Sequence, residues 1–186
     1  LNVWGDGGVI VTSSEELDAT LRLLRNHGLR NRDEVEIFGY NSRLDTLHAI
    51  VGNHLITEVE AITAARIRNA RALDAGLLPL APRVRIPARH ANERHVFHLY
   101  MFEANDRDRL RAYLIERGVE AKIHYPVPLH LQPAGRRLGY TEGDFPEAER
   151  QAQRIITLPV HQHLSQEQVD YMVEVVTDFY GTSAQR

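Results

Sequence analysis

Two short stretches of the chain carry residue types that can do chemistry. The first is Phe38-Gly39-Tyr40-Asn41-Ser42-Arg43-Leu44-Asp45, a polar octet directly ahead of a helical pattern. An amide and a guanidinium beside the unpaired N–H groups of a helix start can together hold an anion such as a phosphate. The same residues suit an N-terminal cap, with Asn41 or Ser42 as the capping side chain, and the two roles are compatible. The second stretch is His124-Tyr125, at the end of a strand pattern and ahead of Pro126. Strand ends and the loops after them are where α/β proteins present polar groups to ligands. A loop histidine satisfied by backbone is the alternative there. Lys122 precedes His124 by two residues and shares its face of a strand. It is the only lysine in the chain, so lysine chemistry has one position available, against the plainer reading of a solvated side chain.

Other chemistries lack their patterns. Ten histidines invite a metal, but His161-x-His163 and the His124/His130 pair match neither HExxH nor a Cys/His zinc spacing, and no metal site is expected. The absence of cysteine excludes disulfides and thiolate nucleophiles. There is no GxSxG elbow. Gly5-Asp6-Gly7-Gly8 is neither GxGxxG nor a P-loop and reads as a turn, with Asp6 as a turn-former. A net charge of −3 gives no basic footprint for nucleic acid. No apolar run approaches the ~20 residues of a membrane span and no signal peptide is visible, so a soluble cytoplasmic protein is the expectation.

The elements around these stretches follow from pattern. Leu1–Trp4 and Val9–Thr12 read as short strands about the glycine turn. Ser13 and Glu16 form a capping box for a helix whose stripe is Leu17, Leu21 and Leu24, closed at Asn26-His27-Gly28. Residues 29–37 alternate charges and read as an exposed loop bordering the Tyr40–Arg43 site. Leu44, Leu47, Val51, Leu55, Val59 and Ile62 then recur at helical spacing, which predicts one long helix to about Ala75, stopped by Gly76 and Pro79. Such a rod, roughly 45 Å long, suits a bridge between two domains. The Pro-rich stretch from Leu77 to Asn92 is extended. His95–Glu103 reads as a strand, Asn105-Asp106 starts a helix around Leu110 and Leu114, and Val119–His124 reads as a second strand. Pro146 opens another helix, Thr157–Val160 is a brief strand, and Ser165 with Gln168 starts a final helix carrying Val169, Met172, Val173, Val176 and Phe179. Thr182–Arg186 reads as a frayed tail. The order suggests a small α/β domain with helices packed on a sheet.

Five motifs in order resemble one family: Gly5-Asp6-Gly7-Gly8-Val9-Ile10-Val11-Thr12, Leu24-Arg25-Asn26-His27-Gly28, Gly39–Asp45, His124-Tyr125-Pro126-Val127-Pro128-Leu129-His130, and Leu158-Pro159-Val160-His161 ahead of Leu164-Ser165. Together they resemble the DegT/DnrJ/EryC1/StrS sugar aminotransferases, over about the C-terminal half of a typical member. The resemblance implies the aspartate aminotransferase fold (fold type I), with residues 1–75 as the end of the large cofactor-binding domain and the long helix, and 76–186 as the small C-terminal α/β domain. It implies pyridoxal 5'-phosphate as cofactor, glutamate or glutamine as amino donor and a keto sugar, commonly nucleotide-linked, as acceptor. It implies a homodimer with shared active sites. Asn41 would reach the cofactor phosphate of the other subunit, Arg43 would lie near it, and Tyr40 and His27 would border the interface. His124 and Tyr125 would lie where the sugar enters.

By the same resemblance the Schiff-base lysine falls a few residues before the Gly-Asp-Gly-Gly turn, ahead of Leu1, and Lys122 is no substitute. The residues facing the pyridine ring would also lie upstream, so the chain holds no catalytic residue of its own and the polypeptide is expected to be about twice as long. Two other readings stay open: a sugar dehydratase of the same family, with histidine in place of that lysine, and a non-catalytic binding or regulatory module that keeps the fold.

Overall fold

Ser14 starts the first helix. The structure, a computed structural model, describes residues 3–183. Helix α1 spans Glu15–Arg25, and the Ser14 hydroxyl accepts from the Leu17 N–H at 3.2 Å. The cap therefore sits one residue after the expected Ser13/Glu16 box. The Ser14 N–H donates to the Thr12 hydroxyl at 3.1 Å, and with Ser14 as the cap the third helical position is Leu17, which has no side-chain acceptor to close a box. Leu17 is exposed, and no residue of the expected stripe is fully buried. Val9, Ile10 and Val11, expected as a strand, are 70–90% exposed and pair with no strand among the described residues. Val3 and Trp4 form no strand either, and Leu1 and Asn2 lie outside the described residues.

The chain divides into two units, residues 1–60 and 61–186. In the first, the expected single rod runs as two helices, α2 at Thr46–Leu55 and α3 beginning at Val59. The break has a local cause. The Thr57 hydroxyl donates back to the His54 carbonyl at 2.8 Å, and the Glu58 N–H closes a tighter turn onto the Leu55 carbonyl at 3.0 Å. β-Branched Ile56 and Thr57 favour that departure from helix. Among its described residues the first unit buries no apolar side chain; only Gly28 and Gly52 are buried.

The second unit carries the core. Helix α3 continues to Leu77, one residue past Gly76. Gly76 is no stop signal: a Cβ there would lie 2.5 Å from the Val173 side chain, so the glycine permits close packing against the last helix. Three short strands follow the order β1 (Val84–Arg85), β2 (Tyr100–Ala104), β3 (Ile155–Leu158) and pair antiparallel, with Tyr100 opposite Leu158 and Phe102 opposite Ile156. Helices α4 (Arg107–Glu116), α5 (Pro133–Arg137), α6 (Pro146–Arg154) and α7 (Gln166–Ser183) complete an α/β arrangement. Leu73, Leu77, Tyr100, Phe102, Leu110, Leu114, Ile156 and Val176 are fully buried and form one cluster. Burying each such side chain contributes about 1.5–3 kcal/mol.

Start signals behave as read for α6 and α7. Pro146 is the first residue of α6. Ser165 and Gln168 form a reciprocal capping box: the Gln168 N–H donates to the Ser165 hydroxyl and the Ser165 N–H to the Gln168 side chain, at 3.3 and 2.9 Å. Two expected strands shrink. Of 95–103, only residues from Tyr100 pair, because side chains consume the backbone groups before it. His95 Nδ1 accepts from the Phe97 N–H, and Arg66 Nη1 donates to the carbonyls of Phe97 and His98. Of 119–124, only Lys122 pairs, with Thr157. The Ala121 N–H turns back onto the Val119 carbonyl at 2.9 Å and ends the ladder there.

Candidate functional site

Tyr40, Asn41 and Arg43 lie on an extended segment, and the helix they were expected to start begins at Thr46 with Asp45 as its cap residue. Neither Asn41 nor Ser42 caps it. The reason is that the segment is spent on α1. Its Tyr40 and Ser42 N–H groups donate to the Leu24 and Arg25 carbonyls at 2.7 and 2.9 Å, and the Tyr40 carbonyl accepts from the His27 N–H at 2.8 Å. The segment thus satisfies carbonyls that the end of α1 leaves unpaired. Two glycines allow the crossing. A Cβ on Gly28, at φ +74°, would lie 1.6 Å from the Ile37 carbonyl oxygen, and one on Gly39 would lie 2.4 Å from the Gly28 nitrogen.

The crossing leaves the Tyr40, Asn41 and Arg43 side chains exposed. Asn41 and Arg43 have no side-chain partner among the described residues. An uncommitted amide and guanidinium two residues apart form a donor set that fits a phosphate. The fit rests on side chains rather than on helix amides.

His124 and Tyr125 belong to the second unit. The half-buried His124 Nδ1 lies 2.7 Å from the Thr157 Oγ1, which lies 2.9 Å from the Lys122 carbonyl. A hydroxyl has one proton, so both contacts are hydrogen bonds only when Thr157 donates to the carbonyl and accepts from Nδ1–H. This network assigns the Nδ1–H tautomer to His124 and leaves Nε2 as an acceptor. Lys122 and Thr157 also exchange backbone hydrogen bonds at 3.1 and 2.8 Å, which fixes the strand edge carrying the histidine. The Tyr125 ring stands edge-on to His124, with centroids 5.5 Å apart.

The two residues border different hollows. His124 lines one of about 250 Å³ with Arg66, His98, Glu120, Lys122 and His161. Tyr125 lines an apolar groove of about 630 Å³ with Leu129, Leu138, Tyr140 and Phe145. His130, in the same segment, is buried and structural: its Nε2 meets Glu149 Oε1 at 2.8 Å, and that oxygen also accepts from the Gly143 and Phe145 N–H groups. These donors, His130 foremost, hold the Glu149 carboxyl below the usual carboxylate range. Lys122 pairs with Glu120 at 2.6 Å and is more than half exposed. No group of three or more metal-ligating side chains occurs among the described residues.

Thr157, Arg66 and His98 were not singled out by the sequence, and His161 was named there only as half of a rejected metal spacing and in a family motif. Thr157 had a signal: it is the one polar residue in the buried strand Ile155-Ile156-Thr157-Leu158. The others come together only through tertiary structure.

The model of the DegT/DnrJ/EryC1/StrS aminotransferase family matches residues 1–177. A "Pleiotropic regulatory protein" of Geobacillus stearothermophilus is 37% identical, over 97% of this chain and 49% of its own length. A dTDP-3-amino-3,4,6-trideoxy-alpha-D-glucose transaminase of Streptomyces venezuelae is 35% identical, over 96% of this chain and 47% of its own. The crystal structure of S. venezuelae DesV in complex with a ketimine intermediate superposes with a TM-score of 0.87 at 34% identity, covering 91% of this chain and 45% of that one. The chain spans about half the length of the curated relatives it matches.

Proposed function

From a chain that belongs to the DegT/DnrJ/EryC1/StrS aminotransferase family, we infer the C-terminal half of a pyridoxal-phosphate-dependent aminotransferase. The enzyme moves an amino group from glutamate or glutamine to a keto sugar, most naturally a nucleotide-linked one, since the S. venezuelae relative is named for a dTDP-sugar. The observation that carries the reading is the exposed, uncommitted Asn41 and Arg43 on a segment pinned by the Gly28/Gly39 crossing. No helix among the described residues is long and apolar enough to cross a membrane.

In this reading residues 1–75 close the large domain and 76–186 form the small one. The exposure of Val9–Val11, Phe38, Leu47 and Ile50 supports a first unit that completes its burial against other protein, including a second copy. Pyridoxal phosphate, when bound, supplies the electron sink that amino transfer requires. Asn41 would reach the cofactor phosphate of the other subunit, with Arg43 beside it, by charge-assisted hydrogen bonds. His124 presents Nε2 as an acceptor to a sugar hydroxyl, Tyr125 offers a ring face beside it, and Tyr40 borders the same substrate. The lysine that the reaction needs is assigned to polypeptide ahead of Leu1, because Lys122 sits in the second unit paired with Glu120.

The name of the G. stearothermophilus relative favours one second reading, a regulatory module without catalysis. Cofactor titration separates the two. Asn41→Ala and Arg43→Ala in the full-length protein should each weaken pyridoxal-phosphate binding about tenfold, the scale of one hydrogen bond to a charged group. Unchanged affinity in both variants, or no binding by the parent, overturns the assignment.

A further inference from the structure

Asn26 stands directly across the crossing from Asn41, and no group among the described residues engages its amide. The Ser42 N–H donates to the Arg25 carbonyl at 2.9 Å and the His27 N–H to the Tyr40 carbonyl at 2.8 Å. Residues 26 and 41 are therefore the pair enclosed by these two bonds rather than the pair joined by them. In an antiparallel bridge of this kind the facing side chains share one face and approach most closely, with Cβ atoms roughly 4.5–5.5 Å apart. Alternation along the extended segment sets Arg43 on that face as well. We propose that Asn26 is a third side chain of the phosphate cradle, donating to the same oxyanion as Asn41, with Arg43 beside them. The proposal rests on the aminotransferase reading, which assigns that phosphate to pyridoxal phosphate.

The plainer role for Asn26 is to close α1, and its backbone already does so. Its N–H donates to the Leu23 carbonyl at 3.1 Å, and its carbonyl accepts from the Leu29 N–H at 3.0 Å. Its φ of −122° makes no left-handed demand; that step falls on His27, at φ +59°. Neither the cap nor the backbone shape therefore requires an asparagine. The side chain is half-buried and has no hydrogen-bond partner among the described residues, and Asn41 is exposed and equally uncommitted.

The donors suit an oxyanion. Each amide carries two N–H groups and a guanidinium five. Two amides borne on carbons about 5 Å apart can both reach one phosphate group at ordinary hydrogen-bond length, roughly 2.9 Å. They add donors without adding charge, and Arg43 supplies the cation. The crossing fixes both backbones before the anion arrives, because a Cβ on Gly39 would already lie 2.4 Å from the Gly28 nitrogen. Little backbone ordering is left to oppose binding.

The test is titration of the full-length protein with pyridoxal phosphate, and separately with inorganic phosphate while NMR follows the side-chain amides of Asn26 and Asn41. Phosphate should shift both amide signals. Asn26→Ala should weaken pyridoxal-phosphate binding about tenfold, the scale of one hydrogen bond to a charged group. Asn26→Asp keeps the shape but sets a like charge against the phosphate, and should weaken binding further. In both variants the thermal midpoint of the cofactor-free protein should stay at the parent value. Asn26 variants that bind like the parent while Asn41→Ala is weakened overturn the proposal and leave the aminotransferase reading standing. So does an Asn26 signal that stays still as that of Asn41 moves. Weakened binding that tracks a lowered cofactor-free midpoint makes Asn26 structural and also overturns it. A parent that binds no pyridoxal phosphate overturns the reading and the cradle together.

Discussion

Replacing Thr157 by valine tests whether the hydroxyl orders His124. Thr157 is 3% exposed, so the new methyl has no solvent to enter and the shape of the site is nearly kept. Two hydrogen bonds disappear. The Lys122 carbonyl is not orphaned, because it still accepts the residue 157 N–H at 2.8 Å. The His124 Nδ1–H is orphaned, and an unsatisfied, half-buried donor costs about 1–3 kcal/mol. The added methyl offsets up to about 0.8 kcal/mol of that. The net expectation is a loss of about 1–2 kcal/mol, or roughly 3–6 °C in the midpoint for a chain of this size. Urea denaturation measures the first quantity. Nitrogen NMR of the His124 ring reads the tautomer directly, with Nδ1 protonated and Nε2 bare in the parent. Thr157→Ser keeps the hydroxyl and should restore both the tautomer and most of the stability. A Thr157→Val protein as stable as the parent, or a parent protonated on Nε2, refutes the reasoning.

Further outcomes follow from the same contacts. Gly39→Ala places a Cβ 2.4 Å from the Gly28 nitrogen, where only backbone could yield; amide exchange at Tyr40 and Ser42 should accelerate as their bonds to Leu24 and Arg25 break, and parent-like exchange contradicts the crossing. Glu103 is gripped by both terminal nitrogens of Arg150 at 2.6 and 2.9 Å, with Arg85 and Arg154 at 3.6 Å, and Arg150 first among these lowers its carboxyl below the ordinary range. A depressed carboxyl stabilises the fold above the ordinary carboxylate range, and that contribution vanishes as pH falls through the folded-state value. Denaturation across the acid limb should therefore show the parent losing stability faster than Glu103→Gln, which starts lower at neutral pH; parallel limbs contradict the grip.

Pattern revealed the elements whose stability is local or strongly periodic. Helix α7 is legible because its capping box and its Val169–Met172–Val176–Phe179 stripe point the same way. Helix α4 is legible through Leu110 and Leu114, although its cap, Asp106, contributes backbone shape at φ +53° rather than a side-chain bond. Pattern failed where tertiary bonds took backbone groups out of regular structure. Arg66 reaches 31 residues along the chain to hold the Phe97 carbonyl, and no local rule carries that contact. The periodicity of Leu44 to Ile62 continues unbroken across Ile56-Thr57, so only the Thr57 back-bond shows where α2 ends. For the proposed sites, Asn41, Arg43, His124 and Tyr125 stand out in the sequence by residue type and by their place at segment junctions. Their supports were not: Gly28 against Gly39, and Thr157 beneath His124, are pairings between distant segments.

The most direct measurement is amino transfer by the full-length protein. It would be incubated with pyridoxal phosphate, glutamate labelled with heavy nitrogen, and dTDP- and UDP-linked keto sugars. The account predicts labelled amino sugar from at least one acceptor, reduced in Arg43→Ala and recovered by excess cofactor. Bound pyridoxal phosphate with no transfer from glutamate or glutamine to any keto sugar would contradict it.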